Sequence, residues 1–447
     1  MLIVILLLAI GFIVLSTSKW KLHPFLALLV AAYGIAFSVG MKYEDIAKTI
    51  TSGFGSILAY IGIVIILGTI IGVILEKSGA AVKMANVVLK IVGKERPILA
   101  MSIIGYIVSI PVFCDSGFVI LNALKRSMVQ QLKVSGVAMS VALATGLYAT
   151  HTLVPPTPGP IAAAGNLMVS NLGLVIVVGL FVAIFTMLAG YFWAIKKGSH
   201  YQSGEDLSQI DLEQDSEVQE KYGELPSAFK SFAPIFIPVL LMAMESIAKL
   251  AFKGYSDALL YKVFVFLGQP ANALFVGVLF AGLLLPKWDE KALSGLVGEG
   301  VKNAGDILII TGAGGALGAV LKASGIGDYL GAILQTLSLG IFVPFIIAAA
   351  LKTAQGSSTT ALVVTSTIMY PLLASLGLDS EMGRVLTVMA IGAGALTVSH
   401  ANDSFFWVVS RFSQMDVSTA YKAYTSATLV QGLVTIAVVF IMSMVLL

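Results

Sequence analysis

The chain has 447 residues, of which 58% are hydrophobic and only 11% are charged, and its formal net charge is +3. With a mean hydropathy of +0.96, this composition excludes an ordinary set of water-soluble domains. The Lys and Arg residues are few and scattered, so we expect no nucleic acid as a partner. Cys114 is the only cysteine, which excludes an intrachain disulfide.

Apolar runs long enough to cross a bilayer, about 17 to 25 residues, recur along the whole chain. They are rich in Leu, Ile, Val, Ala and Gly and do not alternate with polar residues, so helices are expected rather than a barrel. The predicted fold class is an all-α polytopic membrane protein in a lipid bilayer. About ten transmembrane helices are predicted, near residues 2–18, 23–40, 54–75, 137–170, 173–195, 229–252, 259–285, 303–321, 384–411 and 424–447.

One further apolar segment, 97–134, does not fit this count, because basic residues flank it on both sides. Short basic loops face the cytoplasm, so both of its ends should lie on that side. The sequence therefore predicts a re-entrant hairpin with its tip at residues 114–117. The same rule leaves 41–53 as an outer loop and 76–96 as an inner loop.

A weak internal repeat accompanies this pattern. Five residues recur at a displacement of 246, and two segments are interrupted by similar pairs, Thr150-His151 and Ser399-His400. The two copies are five crossings apart, so they have opposite orientations, as in the inverted repeats of secondary transporters. The five matched pairs are Gly68 and Gly314, Gly72 and Gly318, Leu75 and Leu321, Ser78 and Ser324, and Gly79 and Gly325.

The repeat predicts the domain organisation. Residues 1–195 form the first copy, with hairpin 97–134 and broken helix 137–170. Residues 229–447 form the second copy, with a hairpin at 340–376, whose tip is at 355–360, and a broken helix at 384–411. Between them, 196–228 is rich in acidic residues such as Glu205, Asp206 and Asp211, and we interpret it as a solvated cytoplasmic linker without a chemical role.

Four polar clusters interrupt otherwise apolar segments, where polar groups are expensive and usually line a cavity. A break at midplane also frees backbone N–H groups and turns the positive end of a half-helix towards the cavity, which attracts anions. Extended backbone is expected over the Pro155–Pro160 run. The predicted substrate-binding residues are Ser116, Gly117, Thr150, Thr152, Thr157, Gln355, Gly356, Ser357, Ser358, Thr359, Ser399 and Asn402.

Coupling an anion to protons requires groups that change protonation. We expect this role for Asp115, His151, His400, Asp403 and Lys352. The alternatives are a buried histidine bonded to a backbone carbonyl, an aspartate that caps a half-helix, and a lysine that snorkels to water. Lys352 could instead pair with Asp403 or face the substrate. No metal or other cofactor is expected.

Other functions are less consistent with these motifs. The run Gly325-Ile326-Gly327-Asp328 matches the short GxGD pattern of intramembrane aspartyl proteases, but Gly325 is also a natural helix C-cap. No Walker A, HExxH or GxSxG pattern occurs, which argues against ATP-driven transport and common hydrolases. A channel would require a ring of selectivity residues, whereas these clusters follow the repeat.

Over essentially its whole length the sequence resembles the gluconate permease family of bacterial proton symporters. The resemblance rests on several motifs in order: His23–Leu29, Ser78-Gly79-Ala80, Val154–Pro160, Gly312–Gly315, Gln355-Gly356-Ser357 and Ser399–Ser404 with Phe406-Trp407.

This resemblance implies proton-coupled symport of gluconate or a related small hydroxylated carboxylate across the bacterial inner membrane, by a protein that is not an enzyme. It also implies elevator motion and a homodimer whose scaffold comes from 2–40 and 229–285. Members of the family carry gluconate, idonate, glycerate, fructuronate or D-serine, and Asp115 stands where gluconate-type members have Glu. An exchanger of two organic anions is the alternative within transport.

Overall fold

The computed structural model describes residues 2–93, 95–207, 223–251, 259–285, 291–324, 340–401 and 403–447. Within these ranges the regular secondary structure is helical and contains no strand, so the all-α class is confirmed. The first half of the chain forms α1 (Leu2–Ser18), α2 (Pro24–Ser38), α3 (Tyr43–Lys77), α4 (Ala80–Val92), α5 (Pro97–Val108), α6 (Cys114–Leu132), α7 (Gly136–Leu153), α8 (Pro158–Asn166), α9 (Leu172–Lys196) and the short α10 (Gly204–Leu207).

The second half continues the bundle after the linker. Two π-helical turns, Lys291–Leu296 and Tyr421–Thr425, precede long helices. The helices are α11 (Ala228–Ala251), α12 (Leu259–Gly268), α13 (Pro270–Gly282), α14 (Val297–Ala323), α15 (Phe342–Gln355), α16 (Ser358–Met369), α17 (Glu381–Leu396), α18 (Ser404–Phe412), α19 (Val417–Ala420) and α20 (Ser426–Leu446).

Several helices have the length and composition of membrane spans. Five of those described pass by these criteria, or up to seven if each sharply bent pair counts as one span. The helices α1 and α2 have 17 and 15 residues, which is short for a crossing at 1.5 Å per residue. The number of ten crossings stays a prediction.

Two predicted loops are wrong because they contain helix, and one predicted crossing is sharply bent. The segment 41–53 is helical from Tyr43, so α3 has 35 residues. The expected loop 76–96 contains α4, whose lysines lie on the outer face of an amphipathic helix and resemble loop charges in the sequence. The predicted crossing 259–285 is two helices that meet at 76°, because Pro270 cannot continue the hydrogen bonding of α12.

Both broken helices are interrupted, the first at a position that differs from the prediction and the second at the predicted Ser399-His400 pair. Thr150 and His151 lie inside α7, and the first break is confined to residues 154–157. Pro158 and Pro160 belong to the first turn of α8, where backbone N–H groups have no intrahelical partner and proline is tolerated. The extended run expected over Pro155–Pro160 is therefore shorter. In the second broken helix, α17 ends at Leu396 and α18 begins at Ser404.

Both hairpin turns also lie close to the expected tips. Residues 109–113 separate α5 from α6, and Cys114–Gly117 form the first turn of α6 rather than the tip itself. In the second hairpin the turn consists of Gly356 and Ser357. Gly356 has a left-handed backbone (φ +91) that ends α15.

The helix contacts occur in matched pairs. The helix α5 packs against α7 as α15 packs against α17, and α7 packs against α9 as α17 packs against α20. The contact of α6 with α18 has its counterpart between α8 and α16, while α3 and α14 pack along each other. This pairing follows the two predicted copies, whose opposite orientations in the membrane stay a prediction.

The linker differs from the prediction at its start. Glu205 is 2% exposed and pairs with Lys125 at 3.0 Å, so the interpretation of 198–227 as solvated is wrong for Glu205, while Ser199, His200 and Gln202 are exposed. Asp211 and the Gly325–Asp328 run lie outside the described residues.

Candidate functional site

The turns and broken helices surround a cavity of about 310 Å³. It is lined by the start of α6 (Phe113–Asp115), by Tyr148 and His151 of α7, by the turn and first residues of α16 (Gly356–Thr359) and by Asp403–Phe405 at the start of α18. Elements of both predicted copies therefore contribute to one cavity.

Three helices, α6, α16 and α18, begin at this cavity. Ser357 caps α16 by accepting a hydrogen bond from the Thr360 N–H at 3.2 Å, and Asp403 caps α18 by accepting one from the Phe405 N–H at 3.1 Å. The N-termini of helices carry partial positive charge and free N–H groups. The backbone thus makes the cavity favourable for an anion.

A buried ion pair lies beside the cavity. Lys352, with a side chain that is 0% exposed, places its Nζ 2.6 Å from Oδ2 of Asp403, donates to the Gly356 carbonyl and lies 5.6 Å from the centre of the Tyr148 ring. Of the alternatives for Lys352, the structure shows the pair with Asp403 and not a snorkelling side chain. The pair joins α15 to the start of α18.

Asp403 is also tied to neighbouring hydroxyl groups. Ser399 Oγ donates to Oδ2 of Asp403 at 2.5 Å, and the Tyr148 hydroxyl donates to the same oxygen at 3.5 Å. Ser399 therefore orients Asp403 and does not line the cavity itself.

Asp115 has a different environment from Asp403. It lines the cavity, and its Oδ1 accepts a hydrogen bond from Ser404 at 3.5 Å. Among the described residues no Lys, Arg or His lies within 4.0 Å of its carboxylate. The cavity thus contains one paired and one unpaired carboxylate.

The two histidines are placed differently. His151 is 5% exposed and lines the cavity, and its Nδ1 has no hydrogen-bond partner in the described part of the chain. Its ring stacks on Tyr148 at an interplanar angle of 12°. His400 does not line the cavity, and its Nε2 lies 2.9 Å from the Thr353 carbonyl oxygen. Of the alternatives given for the histidines, a ring bonded to a backbone carbonyl therefore applies to His400.

Other predicted binding residues lie near the cavity but do not line it. The hydroxyl groups of Thr150, Thr152 and Thr157 donate to the carbonyls of Tyr106, Tyr148 and Val154. Ser116 and Gly117 lie in the first turn of α6, where Gly117 allows close packing against Leu147. The side chain of Gln355 and residue Asn402 lie outside the described part.

Sequence reasoning missed some lining residues. Tyr148 reads as part of an apolar helix, although it precedes His151 by one helical turn and so lies on the same face. Ser404 and Phe405 follow Asp403 directly. Asn166, away from this cavity, donates to the Val363 carbonyl and to two hydroxyl groups of α16, which fixes α8 against α16.

The long helix α3 contacts the break between α7 and α8 and the turn between α5 and α6 through glycines of the repeat. A Cβ atom at Gly68 would lie 2.8 Å from the Pro156 carbonyl oxygen, and one at Gly72 would lie 2.7 Å from that of Pro111. A Cβ at Gly314, the counterpart of Gly68, would lie 2.5 Å from Oγ1 of Thr367. The helices α3 and α14 therefore pack closely against the site-bearing elements at these three glycines.

Comparison with known proteins gives similarity over nearly the whole chain. The family model described as GntP family permease matches residues 1–445. A gluconate permease of Pseudomonas aeruginosa is 33% identical over 98% of this chain and 96% of its own length. In Escherichia coli, the inner membrane permease YgbN is 31% identical over 94% of this chain and 93% of its own length. The E. coli D-serine transporter DsdX is 31% identical over 99% and 98%.

A solved structure shares the fold. The YdaH transporter of Alcanivorax borkumensis superimposes with a TM-score of 0.70 over 94% of this chain and 98% of that protein, at 13% sequence identity. This likeness shows that the two proteins share their overall helical fold.

Proposed function

Since the chain belongs to the GntP permease family, we propose that it takes up gluconate or a related small hydroxylated carboxylate together with protons. The chain is a multi-pass protein of the inner membrane. Proton symport and the hydroxylated acid are the parts of this assignment that require a test.

The convergence of three helix N-termini on one cavity carries the proposal. The starts of α6, α16 and α18 offer partial positive charge to a carboxylate. Ser357, Ser358 and Thr359 line the same cavity, and hydroxyl groups both donate to a carboxylate and accept from substrate hydroxyls. A cavity of about 310 Å³ is at the lower end of the usual range for small-molecule sites.

The charges around the cavity support coupling to protons. Lys352 is neutralised by Asp403, which leaves the Asp115 carboxylate without a cation within 4.0 Å among the described residues. A substrate anion and an ionised Asp115 in one small cavity would repel each other strongly. The anion therefore binds more tightly when Asp115 carries a proton, and the two enter together. His151, which lines the cavity, is the second candidate for accepting a proton.

Transport also requires the site to face each side of the membrane in turn. The proposal is an elevator in which α5–α9 and α15–α20 move against a scaffold that includes α3 and α14. The close contacts at Gly68, Gly72 and Gly314 place α3 and α14 directly against these elements, because small residues let neighbouring helices pack closely. A homodimer through helices of 2–40 and 229–285 belongs to the same proposal.

The test is uptake into liposomes that contain the purified protein. Labelled gluconate, glycerate and D-serine are offered separately, with and without an inward proton gradient. Accumulation that depends on the gradient and is abolished by Asp115→Asn, but not by the exposed change Glu299→Gln, is expected. Accumulation that requires an internal anion and no gradient would favour exchange instead. No accumulation of any of the three would refute the proposed substrate class.

A further inference from the structure

The first residues of the linker, 198–207, form an ordered segment that we call the strap. It covers the end of the molecule where α6 ends and α7 begins. The single O–H of Ser135, the N-cap of α7, is shared between the strap carbonyls of Gly198 at 3.3 Å and Tyr201 at 3.2 Å. The Gly136 N–H donates to Oδ1 of Asp206 at 2.7 Å. The strap is thus fixed to the first turn of a helix that carries site residues.

The strap also reaches the second predicted copy. The Gly204 N–H donates to the Gln414 carbonyl at 3.0 Å. A Cβ atom at Gly204 would lie 3.0 Å from the Cβ of Gln414. Gln414 belongs to the turn after α18, the helix that begins at Asp403. One short segment therefore joins the site-bearing helices of both copies.

A buried ion pair anchors the strap. Glu205 lies 3.0 Å from Lys125 of α6, and their side chains are 1% and 0% exposed. The Lys125 Nζ also donates to Ser140 of α7 at 2.9 Å and to Ser413 at 3.1 Å. Burial raises the pKa of the Glu205 carboxyl, and the Lys125 ammonium opposes that shift. Without Glu205, Lys125 would lose the carboxylate it pairs with in the interior, which is strongly unfavourable.

At the start of α17, the counterpart of α7 in the second predicted copy, side chains of the helix itself make equivalent contacts. There, Arg384 of α17 donates to the Met168 carbonyl at 2.9 Å, and Glu381 accepts from the Asn171 N–H at 2.8 Å. Met168 and Gln414 occupy equivalent positions, two residues beyond α8 and α18, and both have a left-handed backbone (φ +53 and +50).

The start of α7 lacks side chains that could make the contacts that Glu381 and Arg384 make at the start of α17. Gly136 has no side chain that could reach the turn after α18. A Cβ at this position would lie 2.8 Å from Oγ of Ser203 and 3.3 Å from Oε2 of Glu205. The strap occupies this space and supplies the carboxylates that the helix itself lacks.

We propose that the strap is a clamp, anchored by Glu205 on Lys125, that holds α6 and α7 to the turn after α18 so that the site-bearing elements of both copies move as one body. Glu205 is a positioning residue, remote from the cavity. Movement as one body rests on the proposed transport cycle, whereas the attachment of the strap to α6, α7 and the turn after α18 does not.

The attachment is tested by cross-linking the full chain in membranes. Cysteines at 204 and 414, in the double variant Gly204→Cys and Gln414→Cys, lie within reach of a disulfide. Its formation under mild oxidation is followed by mass spectrometry. We expect rapid formation in this background and at least about tenfold slower formation with Glu205→Gln added, corresponding to about 1.4 kcal/mol in the docked population.

A matched control and a second variant keep the test decisive. Glu299→Gln removes one partner of the exposed Lys77–Glu299 pair and is expected to leave the cross-linking rate unchanged. Asp206→Ala removes the bond to Gly136 while the Lys125–Glu205 pair is kept, and it should also slow cross-linking. This variant decides the test if Glu205→Gln does not fold. Equal rates in Glu299→Gln and in both strap variants would overturn the clamp.

The movement as one body is tested by gluconate uptake of the cross-linked protein. Uptake equal to that of the reduced protein is expected, because a clamp that stays closed does not obstruct the cycle. Loss of uptake on cross-linking, restored by reduction, would show that the strap must open and would overturn this part. If the unmodified protein takes up no gluconate, the proposed substrate fails while the cross-linking rates still decide the attachment.

Discussion

Replacement of Lys352 by methionine is expected to destabilise the protein severely. Methionine keeps most of the side-chain volume but removes the charge that lies 2.6 Å from Asp403. The lysine side chain is 0% exposed and the aspartate 6% exposed, so water replaces the lost partner only in part, from the side of the cavity. Breaking a buried pair on one side typically costs about 3–5 kcal/mol.

A double variant separates charge from packing. Asparagine is as good an N-cap as aspartate, so Asp403→Asn keeps the cap of α18 and removes the negative charge. Combined with Lys352→Met, it leaves no unpaired ion, and we expect the double variant to be more stable than Lys352→Met alone. The matched control, Glu299→Gln in an exposed pair, should change stability by less than about 1 kcal/mol.

The assay is denaturant unfolding of the purified protein in detergent, with intrinsic tryptophan fluorescence as the signal. The four proteins of the Lys352–Asp403 cycle and the Glu299→Gln control are compared. If Lys352→Met costs no more than Glu299→Gln, or if the double variant loses the sum of the two single losses, the buried pair is not the coupled unit described above.

Three further predictions concern the site. Gly72→Ala places a Cβ 2.7 Å from the Pro111 carbonyl oxygen, so it should lower stability by about 1–3 kcal/mol through overpacking and slow uptake. Gly34→Ala, with nothing within 4 Å of the added Cβ, should do neither. Equal thermal stability of the two variants would contradict the close contact. Ser357→Ala and Ser380→Ala each remove a helix N-cap and should lower stability by about 1 kcal/mol. Only Ser357→Ala, at the cavity, should raise KM for uptake. An equal KM in both variants would remove Ser357 from the site. His151→Gln should alter the pH profile of uptake more than His400→Gln, because only His151 lines the cavity; the reverse order would point to His400 as the coupling group.

The main features of the site can be predicted from the sequence, because polar residues are rarely placed in apolar segments without a reason. Asp115, the Gly356–Thr359 segment and Asp403 are far apart in the chain and line one cavity. Threonines were a weaker signal. Thr150, Thr152 and Thr157 satisfy their hydroxyl groups on backbone carbonyls, and Thr152 does so on the preceding turn of its own helix, as threonine commonly does. Their polarity therefore gives no information about the cavity.

Other features depend on contacts that no local pattern encodes. Tyr148 is surrounded in sequence by residues that favour a buried helix, and its contacts with Asp403 and Lys352, which come from the second half of the chain, place it at the site. The acidic segment around Glu205 is typical of solvated linkers, but Lys125, Ser140 and Ser413 form a buried polar environment for it. The helix α4 was missed because its lysines resemble loop charges in the sequence.

The most direct test of the central claim is whether gluconate binding brings protons with it. Calorimetric titration of the purified protein with gluconate, in two buffers of different ionisation enthalpy, measures the protons taken up on binding. The account predicts proton uptake by the wild-type protein and a clear reduction in Asp115→Asn, with Glu299→Gln as an unaffected control. Binding of gluconate without any proton uptake by the wild-type protein would contradict it.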